Sequence, residues 1–301
     1  MMSKNWKPFV MAGTVLSATA VYLWQQKQKQ AETAVSPPFS QQYGPWAIIT
    51  GAARKEGIGY GFARRLAGRH LNLVLVDVLG DELAARAAEL RQKYHVKVET
   101  VVLDLGQPDF LPALQAVTDR LEIGLLVCNH MFTPHDTPPI LQMDLTTHHA
   151  MLDINARAYT TLVHGYGRQL VAQNHGGIII VSSQAGLRGM PYTGAYSANK
   201  AFQMMLGESL WYELRDTNVD VLVLAPGLTN TQGDALADYP RIMLMEVDPV
   251  VQEALDGLGK KPLVIPGPIN KLFNFATTHL MTRQQALITN GDFMAKGLGK
   301  T

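Results

Sequence analysis

Tyr196 and Lys200, separated by Ser197, Ala198 and Asn199, lie in a stretch of helical periodicity. An i, i+4 spacing puts both side chains on one face, about a turn apart. An ammonium held there favours tyrosinate over tyrosine and brings a phenol of ordinary pKa about 10 toward working pH, as a general acid/base requires. Upstream, Ser183 follows the apolar run Ile178 to Ser182, which reads as a strand. Open α/β sheets bind ligands at the carboxyl ends of their strands, so this hydroxyl can hold a substrate oxygen while charge develops.

A second constellation lies near residue 50. The apolar run Ala47 to Thr50 leads into Gly51-Ala52-Ala53-Arg54-Lys55-Glu56-Gly57-Ile58-Gly59, and a helix begins near Tyr60. Glycines allow a tight turn and close approach of the backbone to a pyrophosphate, while the N–H groups and dipole of the helix start favour negative charge. Asp77, at the end of the next apolar run, completes the pattern of a dinucleotide site. Its carboxylate would accept from both ribose hydroxyls of NAD and repel a 2′-phosphate. Arg54 and Lys55 pull the other way, because they can pair with that phosphate. NAD is therefore expected as the preferred cofactor, with NADP as the alternative.

Taken together, these segments resemble the short-chain dehydrogenase/reductase superfamily, classical type, across residues 45 to 266, and in particular membrane-anchored hydroxysteroid-dehydrogenase-like members. The family's TGxxxGxG is matched by Thr50, Gly51, Gly57 and Gly59 with two extra residues inserted. Ser183, Tyr196 and Lys200 match its catalytic serine and YxxxK pair, and Asn155 matches its central-helix asparagine. The resemblance also implies that Asp104 lies near the adenine ring and that Pro226, Gly227 and Thr231 form the PGxxxT turn at the nicotinamide end. By the same resemblance, Tyr196 exchanges a proton with an alcohol or ketone during hydride transfer, Lys200 also binds the nicotinamide ribose, and Asn155 helps hold a relay water. Homodimers or homotetramers are implied too.

The sequence departs from the family where Asn-Asn-Ala-Gly is expected: Cys128-Asn129-His130-Met131 stands there, and only Asn129 is kept as a cofactor contact. His130 reads either as a substrate contact or as a locally packed side chain. Cys128 reads as a buried strand residue. His148, His149 and Asp153 suggest a metal site only superficially, since adjacent histidines point to different helix faces, and no metal is expected.

These residues need a scaffold of alternating strands and helices. Continuous Val/Ile/Leu runs at Ala47 to Thr50, Leu71 to Asp77, Val98 to Leu103, Gly124 to Cys128, Ile178 to Ser182 and Val219 to Leu224 suit strands buried on both faces. Between them, helical periodicity runs over Tyr60 to Arg69, Asp81 to Tyr94, Phe110 to Arg120, Thr147 to Gln173 and Ala195 to Asp216. The expected fold is α/β: a Rossmann-like, doubly wound parallel sheet in a single domain over 45–266. Lys261 to Pro266 offers one more strand, and 267–301 reads as a C-terminal helical tail. An apolar lid is expected between Leu228 and Gly259, from Met243, Leu244, Met245, Val247 and Val251; it favours a lipophilic substrate such as a steroid, a retinoid or a long-chain acyl compound.

The 301 residues carry 26 Lys and Arg against 25 Asp and Glu, a balance that argues against a nucleic-acid binder. A single cysteine excludes an intramolecular disulfide. Pro8 to Trp24 contains no charged side chain, while Lys4 and Lys7 precede it and Lys27 and Lys29 follow. Residues 1–24 are accordingly read as an N-terminal transmembrane anchor, with a cleaved signal or a peripheral helix as alternatives. Residues 25–44 read as a flexible linker. Because NAD(H) is intracellular, the catalytic domain of such a single-pass protein is expected to face the cytosol or an organelle interior.

Overall fold

The computed structural model describes residues 38–134, 138–231, 239 and 241–297. It divides into two units, Met1–Pro38 and Phe39–Thr301. The uncharged stretch Pro8 to Trp24 lies outside the described residues, and among the described residues no helix is long and apolar enough to cross a membrane.

The second unit begins with α1 (Phe39–Tyr43) and β1 (Trp46–Thr50), followed by α2 (Ile58–Ala67), β2 (Asn72–Asp77), α3 (Gly80–Tyr94), β3 (Val98–Val102), α4 (Phe110–Thr118) and β4 (Ile123–Cys128). The central helical stretch comes next, as α5 (Leu145–Leu152), a π-helical segment Asp153–Arg157 and α6 (Ala158–Gln173). It leads to β5 (Gly176–Val181), α7 (Gly194–Glu213), β6 (Val219–Leu224), α8 (Val247–Gly257) and the short β7 (Leu263–Val264). The chain then forms α9 (Pro268–Phe275), a π-helical turn Ala276–Leu280 and α10 (Arg283–Gly297).

Among the described residues the strands form one parallel sheet in the order β3-β2-β1-β4-β5-β6-β7. Strand direction of winding reverses between β1 and β4, and in such sheets the ligand crevice opens at that reversal, beyond the carboxyl ends. The period-two alternation of each strand feeds two cores. Ala47, Ile49, Leu73 and Leu75 pack with Phe62, Leu66, Leu83 and Leu90 of α2 and α3 on one face. Ile48, Val74, Val76 and Ile178 pack with Phe110, Tyr159, Leu162 and Tyr166 of α4 and α6 on the other. Burial on both faces is why these strands are continuous apolar runs.

Two local expectations differ from the structure, and the C-terminal tail adds a contact. The last residues of the expected linker form α1, because Phe39 and Tyr43 sit at i, i+4 and stack their rings with centroids 4.6 Å apart. Tyr43 is buried, and its hydroxyl donates to Asp220 at 2.7 Å, which ties the chain down from Phe39 onward. The expected apolar lid is also divided. Val247 and Val251 belong to α8 and are buried against α2, where a side chain at Gly61 would collide with both. Met245 packs on that same core, so these three face the interior instead of a substrate. Finally, the C-terminal tail docks on the segment between β5 and α7: Arg188 donates to the Thr277 carbonyl and to Thr278 Oγ1.

Candidate active site

The glycine turn is shaped by collisions that only glycine avoids. Gly51 sits at φ +68°, and a Cβ there would fall 2.8 Å from His130 Cα. A Cβ at Gly59 would run into the Gly51 carbonyl oxygen. The two inserted residues bulge outward, since the Gly57 N–H closes a tight turn on the Arg54 carbonyl at 2.9 Å and Arg54, Lys55 and Glu56 are exposed. α2 then starts at Ile58 with no side-chain cap at Gly57, leaving its first-turn N–H groups for another partner. This cradle and helix start fit a pyrophosphate.

Asp77 closes the adjoining corner. Its Oδ2 accepts from the Ala53 N–H at 3.0 Å, and Oδ1 accepts from the N–H groups of Val78 and Leu79 at 2.8 and 3.3 Å. This carboxylate fixes the glycine turn to the end of β2. Asp104 is spent more locally: it accepts from Gly106 N–H and Gln107 Nε2, at 2.8 and 2.9 Å, and so shapes the turn after β3.

The departure after β4 becomes a clasp. Asn129 Nδ2 donates to the Thr50 and Gly51 carbonyls, both at 3.1 Å, and the backbone N–H groups of Asn129 and His130 donate to Thr50 Oγ1. The His130 ring lies between Thr50 Oγ1, 2.8 Å from Nδ1, and the Ile154 carbonyl, 3.0 Å from Nε2. A carbonyl only accepts, so Nε2 carries the proton and Nδ1 accepts from the Thr50 hydroxyl. Burial holds this imidazole down to about 3, with the nearby Lys200 adding to the effect and the bond to Ile154 opposing it. His130 is therefore a neutral, packed link, stacked 4.4 Å from the Tyr159 ring. The substrate-contact alternative for His130 is not what the geometry gives. Cys128 is buried in β4, and burial pushes its thiol up.

Asn155 is presented by the π-helical segment and not by a regular helix. Its side chain makes a two-way pair with the backbone of Phe132, Oδ1 accepting from N–H at 2.8 Å and Nδ2 donating to C=O at 2.6 Å. Its own carbonyl accepts from Gln203 Nε2 at 2.8 Å. Gln203 Oε1 in turn accepts from Lys200 Nζ at 3.0 Å, and Nζ also donates to the Val181 carbonyl at 3.0 Å. The lysine is docked through its backbone too, because Ser182 Oγ donates to the Lys200 carbonyl at 2.6 Å.

Ser183 follows β5 and opens a short 3-10 turn, accepting from the Ala185 N–H at 3.2 Å and donating to the Pro226 carbonyl at 3.4 Å. Tyr196 lies on the first turns of α7, partly buried, with Lys200 Nζ 5.8 Å from its ring centroid. Burial raises the phenol and the hydrogen bond from Ser183 works against that rise. Burial alone brings the Lys200 ammonium down to about 7. The phenol is thus held above its ordinary value, contrary to the lowering expected from spacing. The reason is that desolvation acts on both partners and the lysine donates to Val181 and Gln203.

On the far side, Gln184 N–H donates to the Pro226 carbonyl at 3.0 Å, and a Cβ at Gly227 would fall 2.7 Å from Asn270 Oδ1. Thr231 N–H donates to the Thr229 carbonyl at 2.7 Å. Three hydrogen-bonded groups thus meet here: the glycine turn with Asn129 and His130, Asn155 with Gln203 and Lys200, and Ser183 with Pro226. Gln203 was missed from sequence; it stands three residues after Lys200, on the helix face that meets the π segment, and that spacing was the available signal.

The short chain dehydrogenase family profile matches residues 45–238. A 7beta-hydroxysteroid dehydrogenase of Collinsella aerofaciens is 32% identical over 242 residues, covering 77% of this chain and 89% of that protein. A solved structure of a 7beta-hydroxysteroid dehydrogenase superposes with a TM-score of 0.79 at 29% identity, covering 84% of this chain and 99% of the other. A short-chain dehydrogenase from Sphingobium yanoikuyae in complex with NADPH superposes at 0.66 with 28% identity, over 85% and 96%. An inactive hydroxysteroid dehydrogenase-like protein 1 of Mus musculus is 31% identical, covering 67% of this chain and 61% of that protein.

Proposed function

The chain belongs to the short-chain dehydrogenase family, and on that premise we propose that it interconverts a secondary alcohol and its ketone on a lipophilic, hydroxysteroid-sized substrate, with NAD preferred over NADP. The observation that carries this reading is the meeting of Ser183, Tyr196 and Lys200 at the carboxyl ends of β5 and β6, beside a glycine cradle fit for a dinucleotide.

The nicotinamide cofactor supplies the carbon that accepts or gives hydride. Gly51, Gly57, Ile58 and Gly59 would hold its pyrophosphate, Asp77 and Asp104 its adenosine end, and Asn129, Pro226, Gly227 and Thr231 the opposite wall. In oxidation Tyr196 takes the hydroxyl proton of the substrate, and in reduction it returns one to the carbonyl oxygen. Ser183 donates a hydrogen bond to that same oxygen, which is worth most while charge develops on it. Lys200 favours the tyrosinate form when it is charged, and would bind the ribose with its remaining N–H.

Support for a steroid comes from the names of the bacterial relatives, which match over most of both chains. Support for NAD comes from Asp77, whose fixed carboxylate repels a 2′-phosphate. The exposed Arg54 and the NADPH-bound relative favour a second reading, an NADPH-linked ketoreductase. The relatives named inactive favour a third, a dinucleotide-binding protein without turnover. The test is a panel of hydroxysteroids, retinoid and long-chain secondary alcohols, and small polar alcohols, assayed with both cofactors. Turnover of hydroxysteroids, faster with NAD, is expected; turnover confined to small polar alcohols refutes the substrate class, and faster turnover with NADP refutes the cofactor preference.

A further inference from the structure

We infer that Gln203 is a positioning residue, a side-chain bridge that holds the Lys200 ammonium in place and couples it to the Asn155 carbonyl. The inference rests on the reading of Tyr196 and Lys200 as the acid–base pair.

Three observations carry it. Gln203 has no exposed surface, and Lys200 is only 3% exposed. Both ends of the buried amide are used, and in opposite senses: Oε1 accepts from Lys200 Nζ at 3.0 Å and Nε2 donates to the Asn155 carbonyl at 2.8 Å. The amide cannot be turned around without setting N–H against ammonium and oxygen against carbonyl, so the bridge has one orientation. In addition, the carbonyl it bonds belongs to the π-helical segment, where a regular i+4 N–H ladder is interrupted. The bridge thus connects the two elements, α7 and the segment before α6, that must stay in register for the site to exist.

The electrostatic consequence follows from what faces the lysine. Its neighbouring titratable groups are Tyr196 on its own helix and the neutral His130 from the loop after β4, with Tyr159 of α6 facing Tyr196. Among the described residues no carboxylate is bonded to it, and burial pulls the ammonium down. The carbonyl of Val181 and the amide oxygen of Gln203 are the acceptors that favour the charged form. Loss of one of them lowers the charged fraction of Lys200, and with it the support for tyrosinate at position 196.

The variants are Gln203→Leu, which removes both hydrogen bonds, and Gln203→Glu, which keeps the shape and places a carboxylate against the ammonium. Lys200 ionisation is read on the cofactor-free protein from the pH dependence of its side-chain NMR signal, assigned by comparison with the same protein carrying Lys200→Met. Gln203→Leu is expected to move that ionisation down by about one pH unit, and Gln203→Glu to move it up. In turnover, Gln203→Leu is expected to lower kcat for alcohol oxidation by about tenfold near neutrality, with recovery at higher pH. If Gln203→Leu does not fold, the isosteric Gln203→Glu decides by itself: an unmoved ionisation overturns the bridge. Unmoved titrations with an inactive Tyr196→Phe remove this inference alone, whereas full activity in Tyr196→Phe removes the catalytic reading beneath it.

Discussion

His130 occupies the position beside the glycine turn where the family carries a small residue, and the structure turns that substitution into a structural tie. Its ring joins Thr50 to the Ile154 carbonyl and lies neutral in the interior. In the unfolded chain the same imidazole titrates near its reference value of about 6.5, so below that pH the unfolded state gains a proton that the folded state refuses. The stability tied to His130 is complete above about 6.5 and is lost as the pH falls toward about 3, at a limiting rate of about 1.4 kcal/mol per pH unit. We expect the Tm of the protein to drop more between pH 7 and pH 5 than that of His130→Asn. Parallel drops in the two proteins argue that the ring is not held neutral. The histidine was visible in the sequence as a departure, but its role was not, because its partners Thr50 and Ile154 are far away along the chain. Asp77 shows the same limit: its place at a strand end was readable, while its bonds to Ala53, Val78 and Leu79 depend on how two loops meet.

At the level of elements, the strands were the most legible part. Residues buried on both faces must be apolar without interruption, and helices between them bring their own 3.6-residue period. Even β7, two residues long, was signalled by Lys261 to Pro266. The π-helical segment Asp153–Arg157 was not legible, since one inserted residue barely disturbs the periodicity from Thr147 to Gln173. The same holds for α8, whose valines read equally well as lid or core until Gly61 is seen to make room for them. The glycine turn allows a sharper check. A methyl group at Gly59 meets the Gly51 carbonyl and the Asn129 amide, both parts of the clasp and neither free to retreat. Gly59→Ala should therefore cost about 1–3 kcal/mol of stability and weaken dinucleotide binding, measured by chemical denaturation and by titration with NAD. Wild-type values in both experiments contradict the close approach.

For the molecule as a whole, a sheet with one winding reversal places the glycine turn, Ser183 and the Pro226 turn along a single edge. The C-terminal helices complete that edge by docking through Arg188, a contact no local pattern announced. The uncharged Pro8 to Trp24 remains our proposal for membrane attachment on grounds of composition. What these parts add up to, we propose, is an oxidoreductase whose proton transfer runs through Tyr196. The direct measurement is hydride transfer to NAD from a hydroxysteroid, monitored as NADH formation, in the protein and in Tyr196→Phe, with NAD binding measured in both. Turnover in the protein, a loss of about a hundredfold or more in the variant, and equal NAD affinity are the predicted result. Equal turnover in both, or NAD binding without turnover in either, contradicts it.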